Sequence, residues 1–275
     1  MVVKLDIELL EQVFEQLLQF YTNKNKVLKK AISQNKIIIK AVDDVSKEYL
    51  SNYATKEEIK NYEKAEVNVD GQFFIPNKER KEFLILFNKK HINEDLTFIE
   101  IIFHELEHLC DFYCLTTELC NSDYSKAKKY KYYTGFHYWT EYNAKKLGYK
   151  YYREYLGAFK GIDMYSEEIV DHIKNYELQY QIDKLMNLLN DHNVFWLQIY
   201  FSLQFLARYN VWEEIDNDYF KNGNEFPWWL NETFLGRIYE LYDLLNEMGN
   251  FELAKSKFKD LEKIIVELNK VANEE

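Results

Sequence analysis

Two histidines four residues apart, His104 and His108, bracket a glutamate, Glu105, in the stretch IIFHELEHLCDFY from Ile101 to Tyr113. The run is otherwise mostly apolar, so its ionisable groups ask for an explanation. An α-helix turns about 100° per residue, so positions i and i+4 project from one face, and two imidazoles there can hold one ion. Glu105 lies about 100° round from His104. That is off the ligand direction but beside the ion's open side, where a carboxylate can act as general base. The pattern is H-E-x-x-H, the arrangement of zinc-dependent hydrolysis. With six histidines in 275 residues, chance supplies about 0.01 such matches. The plainer reading is a pair of core histidines on an apolar helix.

Zinc hydrolases use a third protein ligand and keep a fourth position for water. One arrangement places a third histidine six residues after the second, with a glycine between. Here Cys114 and Asp111 occupy those positions, which excludes it. The other takes a glutamate from a later helix. Glu141, 33 residues after His108 in YWTEYNAKKLG, fits it, although Lys145 stands where the thermolysin-like E-x-x-x-D pattern has Asp. His137, one turn before Glu141, is the alternative third ligand and also the first candidate to stabilise an oxyanion, with Tyr132, Tyr133 and Tyr138 behind it. Glu100 and Asp111 fall within about 40° of His104 on the helix, where either can fix a ligand tautomer. Equally, both can be solvent-exposed helix charges. Cys110 and Cys114, one turn apart, read as soft ligands or as small core residues, the second being the more ordinary use. His91, His172 and His192 have no partners at useful spacing and read as structural or surface residues.

The elements that must position these groups can be read from periodicity. Val3–Tyr21 has apolar residues at helical spacing, and Lys26–Ser33 suits a second short helix. Ile37–Val42 is β-branched and strand-like. Glu66–Ile75 reads as a hairpin about Asp70-Gly71, and Phe83–Phe87 as a short apolar strand that either forms core or pairs with an extended substrate. The histidine helix is expected to start between Asn93 and Thr97 and to end by Leu115. His137–Leu156 looks helical. From about Ser166 every segment reads as helix: Glu167–Asn190, Val194–Tyr209, Trp228–Met248 and Glu252–Ala272. The aromatic runs VFWLQIYF and FPWWLNETFLGRIYELY supply either a groove for a partner helix or the core of that half.

Composition bounds the rest. Hydrophobic residues are 47% and aromatics 17%, with 8 glycines and 2 prolines, which suits a folded chain rich in long helices. The net charge of −11 argues against nucleic-acid or anionic-membrane partners. SKAKKYKYY, Ser125–Tyr133, is the local exception. It suits a solvated loop or helix end, or else a phosphate contact. No run has the roughly 18 apolar residues of a membrane span, and the start of the chain has no basic segment leading into an apolar one. With three cysteines, an odd number, the expectation is reduced thiols and a cytoplasmic protein.

FLILFN, then DLTFIEIIFHELEHLCDFY, then TEYNAKKLG together resemble the ImmA/IrrE family of bacterial and phage metallopeptidases, over roughly residues 65–155. That family has a strand ending in Asn, a loop, an H-E-x-x-H helix, and a Glu helix with a small residue three positions later. Asn88, Ala144 and Gly148 match this pattern, and the family usually has Gly where this chain has Glu107. The resemblance implies an α+β, zincin-like fold with a small sheet and active-site helices; the segment pattern bounds that part at residues 1–160 and reads 161–275 as a helical domain. It implies Zn2+ held by His104, His108 and Glu141, with Glu105 as base. It also implies cleavage of a protein or peptide substrate, in that family often a regulator of a phage, mobile element or stress response. The helical half is then a substrate or partner module. The alternative is a non-catalytic binding module in which the metal, or a vestige of its site, holds the fold.

Overall fold

The computed structural model describes residues 7–62, 70–93, 97–161, 163–191, 194–221, 230 and 236–272. The chain forms two compact units, Met1–Tyr130 and Lys131–Glu275. Sequence pattern puts a boundary at residue 160. The architecture is α+β, with a three-stranded sheet in a mostly helical chain. Among the described residues, no helix is long and apolar enough to cross a membrane.

The first unit opens with α1 (Ile7–Lys24) and α2 (Lys26–Gln34). Asn25 ends one and caps the other: its side-chain oxygen accepts from the backbone N–H groups of Val27 at 2.9 Å and Leu28 at 3.3 Å, which satisfies two donors that the helix cannot. Strand β1 (Ile37–Val42) leads into α3 (Val45–Asn52) and α4 (Lys56–Tyr62). These two helices are absent from the sequence reading, because they are short and polar and are set by their caps rather than by periodicity. Asp44 accepts from the Lys47 N–H at 2.9 Å. Thr55 and Glu58 form a reciprocal box: the Thr55 N–H donates to Glu58 Oε2 at 2.8 Å and the Glu58 N–H to Thr55 Oγ1 at 3.2 Å.

Strand β2 (Gly71–Phe74) lies where the second arm of the expected hairpin falls; the first arm lies outside the described residues. Strand β3 (Phe83–Asn88) sits between the other two, parallel to β1 with Ile37 opposite Phe83 and antiparallel to β2 with Gly71 opposite Phe87. All six residues of β3 are buried. Leu84 and Leu86 join Val42, Val45, Tyr49 and Phe74 in one cluster with α3. Phe83 and Phe87, of opposite parity, meet Phe73, Tyr124, Phe14 and Phe98. A strand covered on both faces needs a continuous apolar run, which explains FLILF. Its position also decides between the two expectations for that strand: both edges of β3 are paired, so it is core and offers no edge to a substrate.

A 3-10 turn (Lys89–Asn93) leads toward α5 (Thr97–Leu119), which begins within the expected window and runs one turn past Leu115. Residues 94–96 of that window, and the capping role suggested for Asn93 with them, lie outside the described side chains. After α5, Asp123 caps a 3-10 segment (Tyr124–Lys129) in which Lys126, Lys128 and Lys129 are exposed.

The second unit contains α6 (Tyr133–Lys160), α7 (Glu167–His172), a π-helical turn (Ile173–Glu177), α8 (Leu178–Asp191), α9 (Phe195–Ile215), α10 (Asn217–Lys221), α11 (Ile238–Glu247), α12 (Phe251–Ala254) and α13 (Phe258–Ala272). Helix α6 packs along α9 and α13. At Gly135 the approach is close: a Cβ there would stand 2.0 Å from the Phe258 carbonyl oxygen, so the first turn of α6 tolerates no side chain at that position. Trp139 is fully buried and donates from Nε1 to the Met248 carbonyl at 2.8 Å. Phe205, Tyr209 and Trp212 of α9 are core, whereas Trp196 is half exposed. Of the aromatic run VFWLQIYF (194–201) only Ile199 is buried, and the core aromatics of α9 come after it; residues 226–229 and 231–235 of the other run lie outside the described residues.

Candidate metal centre

Helix α5 buries an unusual set of side chains. Glu100, Glu105, Glu107, His108 and Asp111 are all less than a tenth exposed, and His104 is half-buried. The reading of Glu100 and Asp111 as solvent-exposed charges is therefore overturned. Carboxylates and imidazoles are placed in an interior at a cost in desolvation, so such a concentration marks a site more often than a core.

The i, i+4 spacing brings the two imidazoles together. His104 Nε2 and His108 Nε2 are 3.0 Å apart, and the rings stand edge-on, with centroids 4.6 Å apart and planes at 89°. Glu105 leaves the helix toward strand β2. A Cβ at Gly71 would lie 2.3 Å from Ile101 Cγ2 and 3.5 Å from Glu105 Oε1. The glycine thus lets a strand backbone run close beside the Glu105 carboxylate.

In the second unit, α6 carries Tyr133, His137 and Glu141 at i, i+4 and i+8, on one face. Burial, and after it the Glu141 carboxylate, pushes the Tyr133 phenol up to about 12. The His137 ring is exposed and stacks on that of Tyr133, with centroids 6.1 Å apart and planes at 13°.

His104, His108 and Glu141 each offer a ligand atom, and these atoms lie within 4.8 Å of one another. Among the described residues this is the one such group of three or more metal-ligating side chains; His137 does not belong to it, nor do the cysteines. Two nitrogens about 2.05 Å from a tetrahedral ion are about 3.3 Å apart, close to the 3.0 Å between the two imidazole nitrogens. All three thiols, Cys110, Cys114 and Cys120, are buried and carry no disulfide. Burial first, and then the Glu107 charge, pushes the Cys110 thiol well up, which disfavours the thiolate that a soft ligand would need. His91 bonds Asp70 at 2.8 Å and His172 lies against Tyr176, in keeping with structural roles; His192 lies outside the described residues.

Glu107 gains an explanation that the sequence did not supply. The Tyr21 hydroxyl and the Asn25 amide, the latter at 3.0 Å, both donate to its Oε2. Tyr21 and Asn25 are one helical turn apart at the end of α1, a spacing visible in the sequence, but their partner is more than eighty residues away. In comparisons with protein-family models, with curated proteins and with solved structures, the chain matches none.

Proposed function

We propose that the protein is a zinc-dependent peptidase of the gluzincin type, with a zincin-like arrangement in which His104, His108 and Glu141 hold the ion and Glu105 is the general base. The observation that carries this reading is the convergence of two imidazoles and one carboxylate from distant points of the sequence, next to a buried glutamate. Bound zinc supplies a Lewis acid that makes a water acidic near neutral pH and polarises a carbonyl. Glu105 takes the proton of the attacking water and returns it to the departing amine. Tyr133, kept protonated by its burial, and His137 beside it are the donors placed to meet the developing oxyanion. The substrate is a protein or peptide, and the resemblance to the ImmA/IrrE family points to a regulatory protein of a phage or mobile element. Three buried thiols without a disulfide suit a reducing compartment such as the cytoplasm.

The test compares wild type with Glu105→Gln. Both are assayed for bound zinc and for cleavage of a fluorophore-quenched casein and of a co-expressed repressor encoded next to the gene. The expected result is equal zinc content with cleavage reduced about 10²–10⁴-fold. Cleavage undiminished in Glu105→Gln overturns the base assignment, and a wild type that retains zinc but cuts neither substrate favours the binding-module alternative.

A further inference from the structure

Helix α5 carries two glutamates at mirror positions. With 100° per residue, Glu105 and Glu107 each lie about 80° from the direction midway between His104 and His108, on opposite sides. Their surroundings differ. Glu105 is beside Gly71 of β2. Glu107, 4% exposed, accepts on a single oxygen from the Tyr21 hydroxyl and from the Asn25 amide at 3.0 Å.

Asn25 is itself held in place. Its Oδ1 is committed to the first turn of α2, and its backbone N–H donates to the Tyr21 carbonyl at 2.8 Å. The amide therefore has one orientation, with Nδ2 toward Glu107. The Tyr21 ring lies against Phe103 of α5, with centroids 5.3 Å apart. A second polar contact ties the far end of α2 to the same helix: Tyr113 donates to Gln34 Oε1 at 2.8 Å.

We propose that Glu107 is a positioning residue: gripped by Tyr21 and Asn25, it sets the rotation of α5 about its axis and so the approach of His104 and His108 to one divalent cation. The proposal rests on the metal reading above and extends it to the α1–α2 pair. Its physical basis is a matter of tolerance. A side-chain atom about 6 Å from a helix axis moves about 1 Å when the helix turns 10°, whereas metal–ligand distances are held to about 0.2 Å. Apolar packing is non-directional and resists such a turn weakly. Two charge-assisted hydrogen bonds converging on one oxygen resist it strongly, because they weaken steeply with angle and distance. The same geometry gives the two glutamates different duties. Glu107 is gripped by fixed donors and anchors the helix, and Glu105 faces the Gly71 side of it.

The experiment measures zinc affinity by competition with a chromophoric chelator, and the visible spectrum of the cobalt-substituted protein. It uses the full chain with Tyr21→Phe, Asn25→Asp, Glu107→Gln and Glu107→Ala. Folding at the titration temperature is checked by circular dichroism. Asn25→Asp keeps the α2 cap and replaces the donor to Glu107 by a like charge, whereas Tyr21→Phe removes the other donor without adding charge. Tyr21→Phe and Asn25→Asp are each expected to weaken zinc about tenfold and to shift the cobalt bands. Glu107→Ala should do at least as much, and Glu107→Gln, which still accepts both bonds, should stay within about threefold of wild type. Unchanged affinity and spectrum in folded Tyr21→Phe and Asn25→Asp overturn the clamp. So does a Glu107→Gln as weak as Glu107→Ala, since Glu107 would then act through its charge and not through its bonds. A wild type that binds neither metal overturns the metal reading itself, a failure evident before any variant is made.

Discussion

Helices α5 and α6 are the longest described in their units, and both withdraw charge from solvent, α5 fully and α6 in part, but they do so differently. On α6 the cations meet anions of the same unit. Lys150 and Lys146 share Glu214 at 2.5 and 3.6 Å, and Arg153 pairs with Glu177 at 2.6 Å. Glu177 also accepts from the Tyr149 hydroxyl, which in turn accepts from Trp212 Nε1 at 2.9 Å, and Arg208 lies over the Tyr149 ring at 4.4 Å. This is a structural network in which each cation faces a carboxylate and each polar group supports the next. On α5 the buried groups are four carboxylates and an imidazole, with the second imidazole half-buried beside them. The first pattern holds helices together; the second is the one on which the proposed metal site rests. Burial of charge alone is thus no sign of function, and the mixture of residue types distinguishes the two.

The comparison can be broken from either side. The largest expected effect is structural. Arg153→Met leaves Glu177 without its closest cation and should cost about 3–5 kcal/mol of stability, read by urea denaturation, with zinc affinity unchanged at temperatures where the variant is folded. Parallel loss of zinc affinity would erase the distinction between the helices. Next, His108→Ala should weaken zinc by more than the roughly 10–100-fold typical of residues one step removed from a metal, while melting of the metal-free protein changes much less. If zinc affinity survives that change, α5 is not a ligand helix.

The smallest effect concerns pH and another satisfied cluster, in the first unit. Burial alone would raise Glu58, but the Thr55 backbone N–H, the Tyr49 hydroxyl and the Thr55 hydroxyl hold its carboxyl below the usual 4.5. Because the folded value is depressed, this contribution to stability is complete above pH 4.5 and is lost as pH falls through the folded value. Wild type should therefore lose stability relative to Glu58→Gln below pH 4.5, in chemical denaturation across pH 3–6 (about one unit either side of the titration). A difference between the two that stays constant through that window would show that Glu58 does not titrate with folding.

Much of this was legible in the residues. The helices α1, α2 and α9 and strands β1 and β3 follow from apolar periodicity, and H-E-x-x-H announces itself because a helix fixes what lies four residues apart. Other features were not legible. Helices α3 and α4 depend on single caps at Asp44 and Thr55, too short a pattern for periodicity to reveal. The order of the strands depends on which partners satisfy β3 on each side, and on the β1 side that choice joins residues over forty apart. The grip on Glu107 joins positions separated by 82 and 86 residues, and its traces in the sequence are the one-turn spacing of Tyr21 and Asn25 and an acidic residue where the resembled family usually has glycine. Local spacing encodes the imidazole pair, whereas the contacts made around it are settled by tertiary structure.

The π-helical turn at Ile173–Glu177 has a consequence for the second unit. Such a turn accommodates one more residue than an α-helix does in the same rise, so it swings everything after it by nearly a third of a circle relative to an uninterrupted spiral. Glu177 is the last residue of that turn. Its aim toward Arg153 and Tyr149 thus depends on chain length as much as on side-chain identity. Excising one residue between 173 and 177 would straighten the helix, turn the carboxylate away from its partners, and disrupt the network with every one of its side chains still present.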